Sequence, residues 1–592
     1  MNYNSKDLKE MANAVRAWAL HAIRMAQSGH VGIVLGAADV MTVLFANFLR
    51  RGRDKFVMSA GHGSALLYSV LKLSGYDVGD LNKFRKIGGL PGHPEYGIPG
   101  VDATTGPLGQ GIGNAVGLAM AAKINKTDSR VYCLCSDGDL MEGVAQESIA
   151  FAGRYGLNNL IMLWDDNGIS IDGVAQTDAD VMSRMVSAGW RVISVPGHDF
   201  ARINRALTAA QKSDVPVFIQ CKTEIGYGSS LAGSNKAHGL ALNDAELMTL
   251  VQKFLSPIGE NAWRNVAMEQ IPVVGADVNE FLPNVSLPLV RDRISTRELS
   301  GIYLEGLIQA GANVVGGSAD LGGSTNVHVK GMRDIARDDF SGNYINYGVR
   351  EHAMGAIMNG MSAAGLRVFG STFLVFSDYM RPSIRLAAMS GLPVVYVFTH
   401  DSVAVGEDGP THQPIEQLPS LRLIPNLNVF RPCNGVEVMY AWRRALMEKD
   451  VPSCIVLSRQ AIRQVETPLG TELARGAYVI LPARGRVKAT ILATGSEVPL
   501  AIDVAEKLGD WVQVVSVLSV ADFRAQDDEY KAQILRGTVV AIEAAASAPW
   551  FEFADAVVGI DRFGLSGDGT AVYKEVGFDA DKIAADIRNK MK

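Results

Sequence analysis

The sequence predicts an α/β protein of three domains, each a mostly parallel sheet covered by helices. Three observations carry that prediction. Short continuous apolar runs alternate with helical stretches, a proline-spaced segment and a later change of pattern divide the chain, and the length exceeds what one core holds. At 592 residues, and at roughly 150 residues per domain, several cores are expected.

The elements follow in chain order. Leu8, Met11, Val15, Ala19, Ala22, Ile23 and Ala26 recur at three- and four-residue spacing, which predicts an amphipathic helix over residues 7–27, ending before Ser28-Gly29. Strands are expected at Val131 to Leu134, Leu160 to Trp164, Val217 to Cys221, Val314 to Val315, Val394 to Phe398 and Cys454 to Leu457. Such runs, separated by helices, mark parallel sheets buried on both faces. The stretch from Pro257 to Pro288, with Pro272 and Pro283 inside it, reads as a linker. After Gln464 to Gly476, a smaller α/β unit is expected from Ala489 to Ala493, Val512 to Val517 and Val539 to Glu543. The boundaries are therefore 1–260, a linker at 261–290, then 291–465 and 466–592.

Composition narrows the function classes. Hydrophobic residues at 48%, charged residues at 20% and 61 glycines describe a globular chain, neither disordered nor fibrous. A formal charge of -6 without a long Lys/Arg run leaves no electrostatic footprint for nucleic acid or membrane, so the expected ligand is small. The five cysteines form no Cys-x-x-Cys pair, which argues against a disulfide framework or zinc ribbon and fits a reducing compartment. Lys6, Asp7, Lys9 and Glu10 precede any apolar run, and no stretch approaches the roughly 18 apolar residues of a membrane span. A cytoplasmic protein is expected.

Two strand ends carry the first chemical signal. Ser136-Asp137-Gly138-Asp139 and Asp166-Asn167-Gly168 each follow an expected strand, placing Asp137 and Asn167 where open α/β sheets bind ligands. Both offer oxygen to a hard cation such as magnesium, which commonly bridges to phosphates; taken singly, each is an ordinary turn. Together they resemble the thiamine diphosphate motif, Gly-Asp-Gly with Asn about thirty residues on, in which Ser136 replaces the first glycine and crowds the diphosphate slightly. That resemblance implies Asp137, Asn167 and the Ile169 carbonyl as metal ligands. Gly111, Gly113 and Gly117 fall outside a dinucleotide fingerprint, because residues 102–108 are not a strand and the third glycine is one position late. They are expected to let backbone approach a cofactor.

Glu351, between Tyr344 to Tyr347 and an apolar helix, suits the positive end of that helix. Phe373, Phe376 and Tyr379 at i, i+3 and i+6 could simply be helix core. Six of the ten histidines (His30, His62, His93, His238, His400 and His412) sit in glycine-rich or turn-like settings, where imidazole can exchange donor and acceptor roles with sugar hydroxyls. No His-x-x-x-His or Cys pairing supports zinc.

Three long segments, Thr104 to Gly111, Asp165 to Gly173 and Gly406 to Pro414, resemble the signatures of the transketolase family almost letter for letter. The resemblance extends over nearly the whole chain and implies the thiamine diphosphate-binding fold. Its domains would be a diphosphate-binding domain, a pyrimidine-binding domain and a carboxyl-terminal domain. It implies reversible transfer of a two-carbon ketol unit from xylulose 5-phosphate to ribose 5-phosphate or erythrose 4-phosphate, with thiamine diphosphate and Mg2+, Ca2+ or Mn2+. Glu351, His30, His93, His238 and His412 would be catalytic, with Glu351 at the cofactor's pyrimidine. His62, Gly106, Leu108, Gly138, Asn167, Phe373, Phe376, Tyr379 and His238 would hold the cofactor. Substrate would meet His30, His93, Arg297, Ser324, His400, Asp408, His412 and Arg459; Arg suits phosphate because its planar fork matches phosphate oxygens. Arg297 could instead merely pair with acids on its own helix.

The family also implies a homodimer whose active sites form between one subunit's first domain and the other's second, with Glu142 contacting the partner's catalytic glutamate. Val31 to Leu35 departs from the family's Pro-Gly-Ala-Pro-Met type of sequence, so a differently shaped loop is expected there, and the His238 loop is shorter than in longer members. Deoxyxylulose-phosphate synthase shares the cofactor and domain order, but His62, His93 and the Gly406 to Pro414 stretch favour transketolase. A noncatalytic thiamine diphosphate-binding relative would not need Glu351 and the histidines.

Overall fold

The computed structural model describes residues 3–268, 283–287 and 291–590. These group into two compact units, the first of residues 3–268, 336–341 and 356–366, and the second of the remainder. Pro272 and Pro288 of the expected linker lie outside the described residues.

The first unit is built on a five-stranded parallel sheet of β1 (Lys55–Met58), β2 (Val131–Ser136), β3 (Leu160–Asp166), β4 (Arg191–Pro196) and β5 (Val217–Lys222), in the order β1-β2-β3-β5-β4. Every residue of β2 is buried, as a central parallel strand covered on both faces requires. The amino-terminal helix spans Ser5–Ala26, is capped by the Asn4 side chain accepting from the Lys6 and Asp7 amides, and buries the predicted stripe from Leu8 to Ile23, with Ala26 half-buried. Residues 257–268, expected to begin the linker, form a helix instead, Pro257–Met268. Pro257 occupies its first position, where the missing amide is harmless, and Trp263, fully buried, donates from Nε1 to the Met11 carbonyl at 3.1 Å.

Two further expectations are corrected in this unit. Val31 to Leu35 is no loop: Val31–Gly36 is a buried helix, and a Cβ on Gly32 would lie 2.5 Å from Ile225 Cγ1 and 2.7 Å from the Ala237 carbonyl. Gly113 and Gly117 lie in the helix Gln110–Ile124, where a Cβ would fall 2.4 Å from Ala356 Cβ and 2.0 Å from the Ile357 carbonyl. These two glycines let helices approach each other, not a cofactor.

The second unit holds two larger sheets. The first contains β6 (Gly316–Ser318), β7 (Tyr344–Asn346), β8 (Phe369–Phe373), β9 (Val395–Thr399), β10 (Asn428–Phe430) and β11 (Ser453–Leu457), all parallel, in the order β7-β6-β8-β9-β11-β10. The second contains β12 (Ala477–Leu481), β13 (Ala489–Ala493), β14 (Val512–Val517), β15 (Thr538–Ile542) and β16 (Ala556–Val558), in the order β12-β14-β13-β15-β16, with β12 antiparallel. The strand expected at Val314 to Val315 is displaced to β6; Val315 makes only an isolated bridge to Val368. Position 316 has to be glycine, since a Cβ there would lie 1.9 Å from the Phe369 ring, and the continuous ladder therefore starts on glycine with Val315 bridged beside it.

Candidate active site

In the first unit, β2 and β3 run side by side with Ser136 opposite Asp165, which brings Asp137 and Asn167 to one edge of the sheet. Asp137 opens the helix Asp137–Met141, capped by Ser136. The Ser136 hydroxyl lies 3.0 Å from Asp139 Oδ2, whose Oδ1 accepts from Ser59 Oγ at 2.6 Å and the Gly109 amide at 2.8 Å. Ser136 is thus engaged in its own helix cap.

Asp137 accepts from Trp164 Nε1 at 3.1 Å and from the Gly168 amide at 3.2 Å, while Asn167 donates to Asp165 Oδ2 at 3.0 Å and accepts from the Ile169 amide at 3.0 Å. Burial, then Asp165 and Asp166, push the Asp137 carboxyl up to about 7. Crowded carboxylates at a strand end suit a divalent cation, which would relieve their repulsion. Among the described residues no group of three or more His, Cys, Asp or Glu forms a closed metal cage. Gly138 and Leu108 meet at this edge, where a Cβ on Gly138 would lie 2.9 Å from Leu108 Cδ1. Gly106, at φ +142°, leaves 3.3 Å between an added Cβ and the His93 ring.

Four histidines from four separate segments converge in the same unit. His30 lies 5.3 Å from His62, 6.2 Å from His93 and 5.5 Å from His238 between ring centroids, and His62 stacks on His238 at 5.2 Å. Burial lowers all four below the ordinary imidazole range, His30 to about 4. The cluster is neutral at neutral pH, and each ring offers one donor and one acceptor. Glu142, beyond the Asp137–Met141 helix, is exposed.

In the second unit, Glu351 starts the helix Glu351–Ala363 and accepts from Thr372 Oγ1 at 3.3 Å. Burial raises its pKa, favouring the protonated acid. Thr372 precedes Phe373 at the end of β8, and Phe373 begins an aromatic group: Phe373 and Phe376 are 6.0 Å apart, Phe376 and Tyr379 6.2 Å. These rings are not one helical stripe, because Phe373 ends a strand, Phe376 ends a 3-10 turn and Tyr379 lies in the helix Ser377–Ser390. Tyr379, 64% exposed, is no core residue.

His400 adopts a left-handed conformation, φ 60°, and stacks on Phe373 at 3.6 Å, while His412 meets the Phe376 ring edge at 5.3 Å. Burial, then Arg297 and Arg459, depress His400 to about 3. Arg297 Nη1 donates to the Ser324 carbonyl at 2.5 Å, and its Nε is buried without a partner. Glu298 engages Ser295 in a capping box, and its charge also acts on Arg297. Two guanidiniums beside a histidine, with a donor to spare, fit an anion. Asp408 stands exposed at the end of the segment Val403–Asp408.

The predicted residues therefore gather into two groups. Asp137, Asn167, Leu108, Gly106, Gly138 and the four histidines belong to the first unit, and Glu351, the aromatic trio, His400, His412, Arg297, Ser324, Arg459 and Asp408 to the second. The sequence assigns no role to Asp165 and Asp166, whose charge acts on Asp137, nor to Thr372, which meets Glu351. The first two stood inside a recognised signature; Thr372 carried no local signal.

Comparison with known proteins adds three family models. "Transketolase, thiamine diphosphate binding domain" matches residues 8–259, "Transketolase, pyrimidine binding domain" residues 292–464, and "Transketolase-like TK C-terminal domain" residues 476–579. The chain is 41% identical to a transketolase of Halalkalibacterium halodurans, over 98% of this chain and 98% of the relative. It is 42% identical to that of Geobacillus stearothermophilus, over 97% and 98%. Among solved structures, transketolase from Leishmania mexicana superposes with a TM-score of 0.94 at 36% identity, covering 99% of this chain and 97% of that one. A Pichia stipitis transketolase complexed with sedoheptulose 7-phosphate superposes with a TM-score of 0.90 at 35% identity, covering 99% and 98%.

Proposed function

The chain belongs to the transketolase family, and from that premise we propose how it transfers a two-carbon ketol unit from a ketose phosphate to an aldose phosphate. The observation that carries the reading is Glu351, a buried carboxyl that accepts from Thr372 at the start of a helix, in the unit that also holds the Phe373–Phe376 pair. When bound, thiamine diphosphate supplies the carbon nucleophile on which the two-carbon unit travels. Glu351 holds a proton against the aminopyrimidine, and Phe373, Phe376 and Tyr379 cover that ring. Asp137, Asn167 and the Ile169 carbonyl hold the cation, Mg2+ by preference and Ca2+ or Mn2+ as substitutes, while Gly106, Leu108, Gly138 and His62 shape the space around the diphosphate. These residues fit the group because the Asp137 carboxyl is pushed up by burial and then by two neighbouring carboxyls, which a cation would relieve, and the glycines leave room.

His30, His93, His238 and His412 orient the sugar oxygens, and Asp408 reads a hydroxyl. Arg297, Ser324, His400 and Arg459 hold the phosphate; the depressed pKa of His400 keeps it a neutral hydrogen-bonding partner between two cations. Xylulose 5-phosphate is the expected donor, ribose 5-phosphate and erythrose 4-phosphate the acceptors. The binding groups are split between two units, and the exposed Glu142 fits a contact with a second copy. We read the working form as a cytoplasmic homodimer in which the first domain of one subunit and the second domain of the other complete each site. Among the described residues no helix is long and apolar enough to cross a membrane. The test is to mix xylulose 5-phosphate and ribose 5-phosphate with the chain, thiamine diphosphate and magnesium. Sedoheptulose 7-phosphate is the expected product, and its absence with a folded, cofactor-loaded protein refutes the reading.

A further inference from the structure

One cation stands among the four histidines with no task in the scheme above. Arg85 adopts a left-handed backbone conformation, φ 56°, fixed by its amide donating to the Leu90 carbonyl at 2.7 Å. From there its guanidinium reaches two other segments. Nη1 donates to Ser28 Oγ at 2.8 Å, and Nη2 lies 3.2 Å from His30 Nδ1 and 3.5 Å from the Gly92 carbonyl. A Cβ on Gly92 would lie 3.2 Å from Arg85 Nε, so glycine there admits the side chain. A non-glycine residue held at positive φ and aimed at a candidate substrate-binding ring costs about 1 to 3 kcal/mol, which the surrounding contacts must offset.

The chemistry of the contact is one-directional. A guanidinium has five donors, no acceptor, and stays protonated in proteins. A histidine nitrogen facing it must therefore accept, and a neutral imidazole that accepts at Nδ1 carries its proton at Nε2. We propose that Arg85 is a positioning residue that fixes His30 as the Nε2–H tautomer, so that His30 presents to the sugar a hydrogen-bond donor and not a base. The proposal rests on the reading that His30 faces the substrate.

The surroundings of His30 agree. The titratable groups facing it among the described residues are Arg85, His62, His93 and His238, and no carboxylate acts on it. Burial first, then Arg85, oppose a charged ring. A fixed Nε2–H donor favours a sugar oxygen that gains negative charge as a bond to its carbon forms, and it needs no reorientation at that moment. Arg85 also ties the His30 segment to the Gly92-His93 turn, so one side chain sets the separation of two rings that meet the same sugar.

The test uses the full-length, cofactor-loaded protein with 15N-labelled histidine, and His30 assigned from the signal lost in His30→Gln. In the wild type, long-range 1H–15N correlations are expected to show His30 protonated at Nε2 and unprotonated at Nδ1, from pH 8 to below pH 5. In Arg85→Met both tautomers appear, and the His30 pKa and the acid limb of kcat/KM rise by about one pH unit or more. Arg85→Lys, which keeps a donor and the charge, restores both. An Nδ1–H tautomer in the wild type overturns the proposal without any variant being needed. Unchanged tautomer and unchanged acid limb in Arg85→Met also overturn it. A tautomer change with unaltered kinetics would keep the assignment of the proton but reject Arg85 as a positioning residue, and would place the fault in the reading of His30 as substrate-facing.

Discussion

Replacing Arg431 with methionine removes the centre of a buried charge network in the second unit. Arg431 is 1% exposed, with Asp401 Oδ2 at 2.8 Å from Nη2, Thr494 Oγ1 at 2.8 Å, Ser496 Oγ at 3.1 Å and the Glu497 carboxylate in contact. Glu543 lies 3.8 Å away and is held by Arg422 at 2.8 Å. Two cations thus face three carboxylates, and the variant leaves one cation for three. Breaking a buried pair from one side costs about 3 to 5 kcal/mol, because a desolvated charge loses its partner. The exposed pair Arg463–Asp503, with side chains 41% and 48% exposed, is the control and should contribute under about 1 kcal/mol. Urea unfolding followed by tryptophan fluorescence is the assay; of the seven tryptophans Trp550 reports on this network, since its Nε1 donates to Glu543 at 2.7 Å. A loss below about 1 kcal/mol, no larger than that of Arg463→Ala, would refute the claim that the network is desolvated.

Three further outcomes are expected. Glu351→Gln should bind the cofactor yet lose about 10² to 10⁴ in kcat, or roughly 3 to 5 kcal/mol, and rates within tenfold of wild type would exclude a proton-holding role. Gly117→Ala should destabilise by about 2 to 3 kcal/mol, because the added methyl meets only backbone, the nearest atom at 2.0 Å. Gly143→Ala, where nothing lies within 4 Å, should not, and equal urea midpoints for the two would contradict the packing argument. The pKa values of His30, His62, His93 and His238 are depressed on folding, so the unfolded chain binds more protons below the ordinary imidazole pKa. Their contribution is present above about pH 6.5 and is lost as pH falls toward 4, while Asp137 and Asp165, raised to about 7 and about 6, act in the opposite sense over the same window. Against that background the histidines should lower the unfolding midpoint of the first unit at pH 5 relative to pH 7. A smaller drop in His30→Asn checks the assignment to this cluster.

Much of the fold was legible because burial on both faces leaves a plain mark. β13 and β14 lay where the apolar runs put them, and β2 runs two residues past its expected end. The failures have separate physical causes. β6 begins on a glycine required by the Phe369 ring, so its continuous ladder lies beside the apolar residues, not on them. The helix Pro257–Met268 looked like a linker because proline at a first position and proline in a loop are identical in sequence, and only Trp263 lodged at Met11 tells them apart. The glycines of Gln110–Ile124 resembled ligand glycines because close approach demands the same residue, whether the visitor is a phosphate or a helix.

The candidate site divides in the same way. Asp137 and Asn167 were legible as a pair because each follows its own strand, and adjacent parallel strands end at the same edge. The histidines were legible by their glycine neighbours, though not their 5 to 6 Å spacing, which depends on four segments far apart in sequence. Thr372 beside Glu351, Arg85 beside His30 and Arg431 among three carboxylates carry no local pattern, since each partner is at least 21 residues away.

The shared site can be tested by complementation between two inactive variants, one Asp137→Ala, damaged in the first domain, and one Glu351→Gln, damaged in the second. Dissociating and reassembling an equimolar mixture gives mixed dimers, in which one of the two sites draws only intact domains. Formation of sedoheptulose 7-phosphate should return to about a quarter of the wild-type rate, since half the dimers are mixed and each has one good site. No recovery from variants that exchange subunits and retain their fold would show that each chain builds its site alone.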